Sequence, residues 1–237
     1  MTRGFLALLG LLALAGCAAP VSSSVYDSGA PSSLFEVGGD SETLSLFASD
    51  AALLSDADID RILAHRFTPR PLNRIAVVAL GHNYWFGWSD ELSRSGTEVQ
   101  RGLVAALRAS PKVYDAAYLP TLLIPEKGSI GAFREAGARF QADLMLIYQT
   151  SCRTYAKFRF FAPDEAKSYC NVEAVLIDTR TGIAPFAVTA SRDFVTVKQA
   201  GDMDTDETRR RVELQAVGDA LAEIGAATAA YLGKAGG

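Results

Sequence analysis

The chain has 237 residues, with 23 Lys+Arg against 27 Asp+Glu and a formal net charge of −4. That mildly acidic balance removes the electrostatic basis for binding nucleic acid or for adsorbing to anionic lipid. Beyond the N-terminal segment no run has the length and apolarity of a transmembrane helix.

Thr2 and Arg3 open the chain, an apolar run follows from Phe5, and Leu14-Ala15-Gly16-Cys17 closes it. A charged start, a short hydrophobic stretch and small residues before a cleavage point make a secretory signal, too short to span a bilayer stably. The last four residues resemble a bacterial lipobox, whose cysteine is diacylated and becomes the mature N-terminus. The resemblance implies a signal peptide over residues 1–16, lipidation (palmitate included) at Cys17, and membrane attachment through acyl chains at about 0.8 kcal/mol per buried CH₂. Ala18 stands where an Asp would favour retention at the inner membrane, which points to the outer membrane and a domain facing the periplasm.

Residues 17–54 read as a flexible tether, rich in Ser, Ala, Gly and Asp, with Ser22-Ser23-Ser24 and Gly38-Gly39. Some 35 flexible residues would hold a domain about 30 to 35 Å from the membrane surface. Leu44, Leu46 and Phe47 are candidates to dock on the domain that follows, which occupies residues 55–237. Ser55 caps a short helix with Asp56 and Asp58 in its first turn and an apolar stripe of Ile59, Ile62 and Leu63. Pro69 and Pro71 break the chain before Arg74-Ile75-Ala76-Val77-Val78-Ala79-Leu80, an apolar run of the kind a buried central strand has.

A helix over about 90–109 places Leu92, Val99, Leu103, Ala106 and Leu107 on one face, and Pro111 ends it. Residues 113–119 read as a strand, a helix with Ile130, Phe133 and Phe140 inward follows, and 142–151 is a strand again. Strand, helix, strand, helix, strand argues for parallel pairing in an α/β layer. The pattern then changes to antiparallel hairpins. Cys152 and Cys170 are the two cysteines left in an exported chain, and a disulfide is the natural reading. Zinc would need more ligands than these thiols and the distant His65 and His82.

If Cys152 faces Cys170, Tyr148 falls opposite Ala174, Leu146 opposite Leu176 and Leu144 opposite Asp178. The disulfide face is then the apolar one. The other face carries Met145, Ile147, Val175 and Ile177 but also Gln149, Ser151, Asn171 and Glu173, so it is expected to be half covered. Asp178-Thr179-Arg180-Thr181-Gly182 closes the next hairpin, with Gly182 free to take positive φ. A last strand reaches about Lys198. A long helix over about 206–232 then lays Leu214, Val217, Leu221, Ile224, Thr228 and Tyr231 on the sheet. The expected fold class is α/β (α+β), with a mixed sheet and a packed C-terminal helix.

On the 74–80 run, Ala142 to Tyr148 and Leu176-Ile177-Asp178-Thr179-Arg180-Thr181-Gly182, the arrangement resembles a group of envelope lipoproteins and periplasmic domains. It is similar to the α/β domain of the curli-secretion channel lipoprotein, the lipoprotein activators of peptidoglycan synthases and the N-terminal domain of the Tol-system propeller protein. The resemblance covers residues 74–232 and implies binding, assembly or activation without a shared catalytic site or cofactor. It speaks to architecture, since fold alone does not settle function.

Three features have the residue types for chemistry or recognition. The loop after the first strand of the domain carries His82, Tyr84, Trp85, Phe86 and Trp88. His82 makes an envelope hydrolase the alternative reading, although no second histidine or nucleophile elbow completes a triad, and Tyr84, Trp85 and Trp88 suit partner binding. Asp202, Asp204, Asp206 and Glu213 match positions 1, 3, 5 and 12 of a calcium loop, but Glu207 stands where Gly is needed and a capped helix start explains the acids; no metal is expected. Tyr155, Phe158, Arg159, Phe160 and Phe161 alternate cationic and aromatic residues in a projecting hairpin. Its return segment 163–168 lacks the alternation a membrane-spanning strand requires. The expectation is a non-enzymatic, lipid-anchored module that binds another envelope protein, with self-association and an oligomeric secretion-channel-like subunit as the further alternative.

Overall fold

The computed structural model describes residues 23–27, 45–46, 54–80, 90–125, 128–157, 159–202 and 204–235. The apolar run becomes β2 (Asn73–Leu80), whose residues Ile75, Ala76, Val77 and Val78 are all fully buried. A strand without alternation has to be covered on both faces. It accordingly lies inside the sheet, parallel to β3 (Val113–Tyr118) on one side and to β4 (Leu144–Lys157) on the other.

Between β2 and β3 runs α2 (Asp90–Arg108), which buries Leu92, Leu103 and Leu107. Between β3 and β4 runs α3 (Ile130–Arg139), capped by Ser129, whose Oγ accepts the Ala132 N–H at 3.2 Å. β5 (Glu165–Asp178) and β6 (Phe186–Val197) continue the sheet antiparallel, in the order β3-β2-β4-β5-β6. The turn between them is the expected one. Asp178 accepts from the Thr181 N–H at 3.0 Å, and Gly182 takes φ +76°, a conformation open to glycine at no steric cost. α4 (Thr205–Ala235) packs on the sheet and on α2. The mixed α/β class, with a parallel βαβαβ first part, antiparallel hairpins and a long C-terminal helix on the sheet, is therefore what the chain adopts. No described helix is long and apolar enough to cross a membrane.

The register is the one the cysteines demand. Cys152 pairs with Cys170 and is disulfide-bonded to it, while Tyr148 faces Ala174 and Leu146 faces Leu176. The disulfide face of β4 and β5 joins Leu214, Val217, Leu221 and Ile224 of α4 in the larger core. The opposite face supplies Met145, Ile147 and Ile177 to a smaller core closed by Phe133 of α3. The bridge spans a sequence separation of 18. A loop of that size should contribute about 3 kcal/mol by restricting the unfolded chain. The double variant Cys152→Ala with Cys170→Ala is expected to lose that amount in urea unfolding; an unchanged midpoint would show that strand pairing alone holds the register.

Three local outcomes differ from what the sequence suggests. Ser23–Asp27, inside the stretch expected to be tether, forms a strand, β1, antiparallel to β4 with Ser23 opposite Lys157 and Asp27 opposite Arg153. β4 also runs past the expected strand end at 151, to Lys157, and β5 starts at Glu165, so the projecting hairpin is built of paired strand almost to its tip. Finally, α1 (Asp56–Ala64) is capped by Ser55 as expected, but buries none of its residues, and Ile59, Ile62 and Leu63 face outward. At the other end of the tether stretch the docking expectation has a counterpart: the Leu46 carbonyl accepts the Ile130 N–H at 2.9 Å and the Leu46 side chain packs on the smaller core.

Candidate binding surface

Beyond the disulfide the β4–β5 pair keeps its two-residue alternation. On the inner face Thr154, Ala156, Ala166 and Ser168 are buried against the start of α4. Of these, the two alanines are small, and the two hydroxyl residues make hydrogen bonds. The Thr154 hydroxyl lies 2.6 Å from a Glu213 carboxylate oxygen of α4 and 3.0 Å from the Ser168 hydroxyl. A buried hydroxyl or carboxylate is tolerated only when so paired, and Arg210 adds a cation 3.6 Å from Glu213.

The same region accounts for the calcium-like acids. The Asp204 carboxylate accepts the Glu207 N–H at 2.8 Å, as a helix cap does. Asp202 accepts from the Gln199 N–H and the Thr208 hydroxyl, each at 2.8 Å, and is ion-paired with Arg211. Glu213 turns inward to Thr154. Among the described residues no group of three or more His, Cys, Asp or Glu side chains converges as a metal site.

On the outer face the alternation places rows across three strands. Tyr155 faces Lys167, which faces Val195; Arg153 faces Tyr169, which faces Asp193. α3 covers the proximal end of this face, over Met145 and Ile147, and leaves the distal end open. Tyr155 is 41% exposed, Tyr169 50% and Val195 47%. Lys167 and Asp193 form an ion pair at 3.0 Å within the patch. Tyr169, Lys167 and Val195 carry no motif in the sequence, although the cysteine register, continued one and three residues past the bridge, leads to Tyr169 and Lys167.

The strands are joined by a short loop whose ends are tied. The Arg159 N–H donates to Asp164 at 3.0 Å and its guanidinium pairs with Glu165. Phe160 and Phe161 stand at the tip, 86% and 95% exposed, with ring centroids 4.8 Å apart in an edge-to-face arrangement. The structure thus brings Tyr155, Arg159, Phe160 and Phe161 to one end of the molecule. Phe158, Cys17, His82, Tyr84, Trp85 and Trp88 lie outside the described residues.

At the carboxyl end of the parallel strands Tyr118 and Tyr148 place their hydroxyls 3.1 Å apart. Burial pushes the Tyr148 phenol up to about 12, against a smaller opposing effect of the hydrogen bond, and drives Tyr118 higher still. Both are neutral phenols at ordinary pH, holding β3 to β4 across β2. Two further concavities are present among the described residues. A groove of about 360 Å³ at the opposite end of the sheet is lined by His65, Arg70, Asp143 and Arg180, with Asp143 bridged to Arg70 at 3.1 Å and to Arg180 at 3.8 Å. A shallow one of about 640 Å³ separates α2 from β3. Beside it Asp115 meets Arg74 at 3.1 Å and Arg108 at 2.6 Å. Desolvation raises its carboxyl pKa, but the two guanidinium groups outweigh that and hold it below the usual range.

No family model matches the chain, and no curated protein does. Among solved structures it is similar to the PelC dodecamer from Paraburkholderia phytofirmans, at 11% identity over 69% of this chain and 92% of that one, with a TM-score of 0.34. It is also similar to a minor lipoprotein from Acinetobacter baumannii, at 8% identity over 68% and 95% of the two chains, TM-score 0.37. A third is the LpoB C-terminal domain from Salmonella enterica, at 10% identity over 56% and 90%, TM-score 0.28.

Proposed function

We propose that this chain is a non-enzymatic binding module of the bacterial envelope, anchored through a lipid on Cys17, at the outer membrane, with its domain in the periplasm. Its binding surface is the open distal face of β4, β5 and β6, and the occupant is another envelope protein. One observation carries the reading: among the described residues α3 covers only the proximal part of the outer face, and past its end tyrosines sit exposed beside Arg153 and Lys167. Tyr and Arg are among the residues that interfaces concentrate.

Crosslinking in intact cells, followed by purification, tests this. Tyr155→Ser with Tyr169→Ser is expected to remove one specific crosslinked species and to weaken its binding by about 2 kcal/mol, roughly 30-fold, as loss of an interface anchor does. The fold should be unaffected, since both rings are outside the core. Capture of a second copy alone would replace the partner reading with self-association. An unchanged pattern of crosslinks in the double variant would end it.

A further inference from the structure

The direction of β1 fixes which end of the domain faces the lipid. β1 runs antiparallel to β4, from Ser23 opposite Lys157 to Asp27 opposite Arg153. Its first residue therefore lies beside the hairpin tip, and the chain moves away from the tip as it enters the body. Residues 17–22 are the whole connection between Cys17 and β1. Six residues reach at most about 20 Å, at 3.3 to 3.6 Å each. A lipid on Cys17 would hold Lys157 within that distance of the bilayer surface, and the loop bearing Phe160 and Phe161 lies beyond Lys157.

We infer that the hairpin tip is a membrane contact: the Phe160 and Phe161 rings enter the interfacial layer of the bilayer that holds the Cys17 lipid, and the domain stands on that tip with the β4–β5 pair pointing at the membrane. The inference rests on the proposed lipidation. The tip chemistry fits an interface and not a span. Two aromatic rings, packed edge to face on each other, are offered to solvent at 86% and 95% exposure, an apolar patch of the kind that marks a contact site. The charges around them balance locally. Arg159 is paired with Glu165, and Lys157 stands across from Glu165 near Asp164. A neutral tip matches zwitterionic headgroups, in keeping with a chain whose overall charge gives no attraction to anionic lipid. The strands behind the tip expose Tyr155, Lys167 and Tyr169 at the sides, a pattern that suits water and a protein partner and not hydrocarbon.

The placement also changes the part played by the tether. A 35-residue flexible leash would leave the domain free to tumble tens of ångströms out. A six-residue link and an inserted tip together orient it, with the proposed partner surface close to the membrane and at right angles to it.

The test uses full-length lipidated protein in vesicles of phosphatidylcholine and phosphatidylethanolamine. An environment-sensitive label is attached at Phe161→Cys, or as control at Leu72→Cys, an exposed site just before β2 at the opposite end of the sheet. Mass spectrometry first establishes whether Cys17 carries its lipid. The expected result is a blue-shifted emission at position 161 that spin-labelled lipid quenches, with neither effect at position 72. Phe160→Ser in the 161-labelled protein should weaken the quenching while the protein stays on the vesicles. A lipidated protein whose label at 161 stays as wet as the one at 72 overturns the tip placement and leaves the anchor intact. An unlipidated Cys17 overturns the anchor, and the placement with it. A wet tip, combined with loss of the cellular crosslink in Phe160→Ser, assigns the rings to a protein partner instead.

Discussion

Arg211→Met is expected to destabilise the domain by about 3–5 kcal/mol, the cost of stranding one member of a buried ion pair. The Asp202 carboxylate is only 2% exposed, and it sits just ahead of α4, fixing the chain between β6 and that helix. It accepts from Gln199 and Thr208, but those donors are neutral, and Arg211 supplies the opposing charge. The neighbouring cations are engaged elsewhere: Arg209 binds Asp206 at 2.5 Å and Arg210 lies 3.6 Å from Glu213. Met preserves the aliphatic stem of Arg211 and its packing, so the loss reports the charge. Urea unfolding of four proteins measures it: wild type, Arg211→Met, Asp202→Asn, and the two changes combined. The combined variant should be more stable than Arg211→Met alone, because removing both charges leaves nothing ionised to bury. Equal losses in Arg211→Met and the combined variant would mean that the stranded Asp202 charge is not the source of the loss.

That region also explains what the sequence concealed. The register of β4 against β5 was legible because two signals were independent: the cysteine pair and the two-residue period of Leu144, Leu146 and Tyr148 agree on one face. The long helix was legible from the spacing of Leu214, Val217, Leu221 and Ile224, since each apolar residue faces an apolar sheet. Past the disulfide the period survives but its chemistry changes. Thr154, Ala156, Ala166 and Ser168 are inward yet small or polar, and the Thr154 hydroxyl that Ser168 also meets is bonded to Glu213, 59 residues beyond Thr154. A hydrophobic pattern cannot announce a face that is satisfied by hydrogen bonds to a distant helix. β1 is hidden for a related reason. A five-residue strand beginning Ser23-Ser24 has no apolar period of its own, and it exists by pairing with the edge of β4 that β2 leaves vacant beyond Gln149. The opposite error arises at α1, where Ile59, Ile62 and Leu63 form a proper stripe that meets no core, so amphipathicity gave the helix but not its packing.

Phe133→Ala is expected to cost about 3–5 kcal/mol, the range for the change. The ring is 1% exposed and is the largest side chain that α3 contributes to the smaller core, against Ala76, Val78, Met145, Ile147 and Ile177. Cavities are cheap when their walls can close, and these cannot. The strands are fixed from the other side by α2 and α4. α3 is pinned in turn: Arg134 donates to the Thr179 carbonyl at 3.0 Å and to that of Arg180, and Ile130 donates to Leu46 at 2.9 Å. Gly137 already brings the helix so near Met145 that an added Cβ would come within 2.6 Å of its sulfur. The variant should therefore lose hydrogen-exchange protection first in α3, with the β4–β5 amides outlasting it, as the disulfide and the α4 core are untouched. Releasing α3 would open the proximal half of the outer face and join Met145, Ile147 and Ile177 to the exposed distal half. Dye binding and concentration-dependent association are expected to rise together at sub-denaturing urea. A loss of only about 0.5–1.5 kcal/mol, the range for removing a single methyl group, would mean that α3 settles onto the sheet after all. The division of the outer face into a covered and an open half would then depend on the pinning bonds, with the ring contributing little.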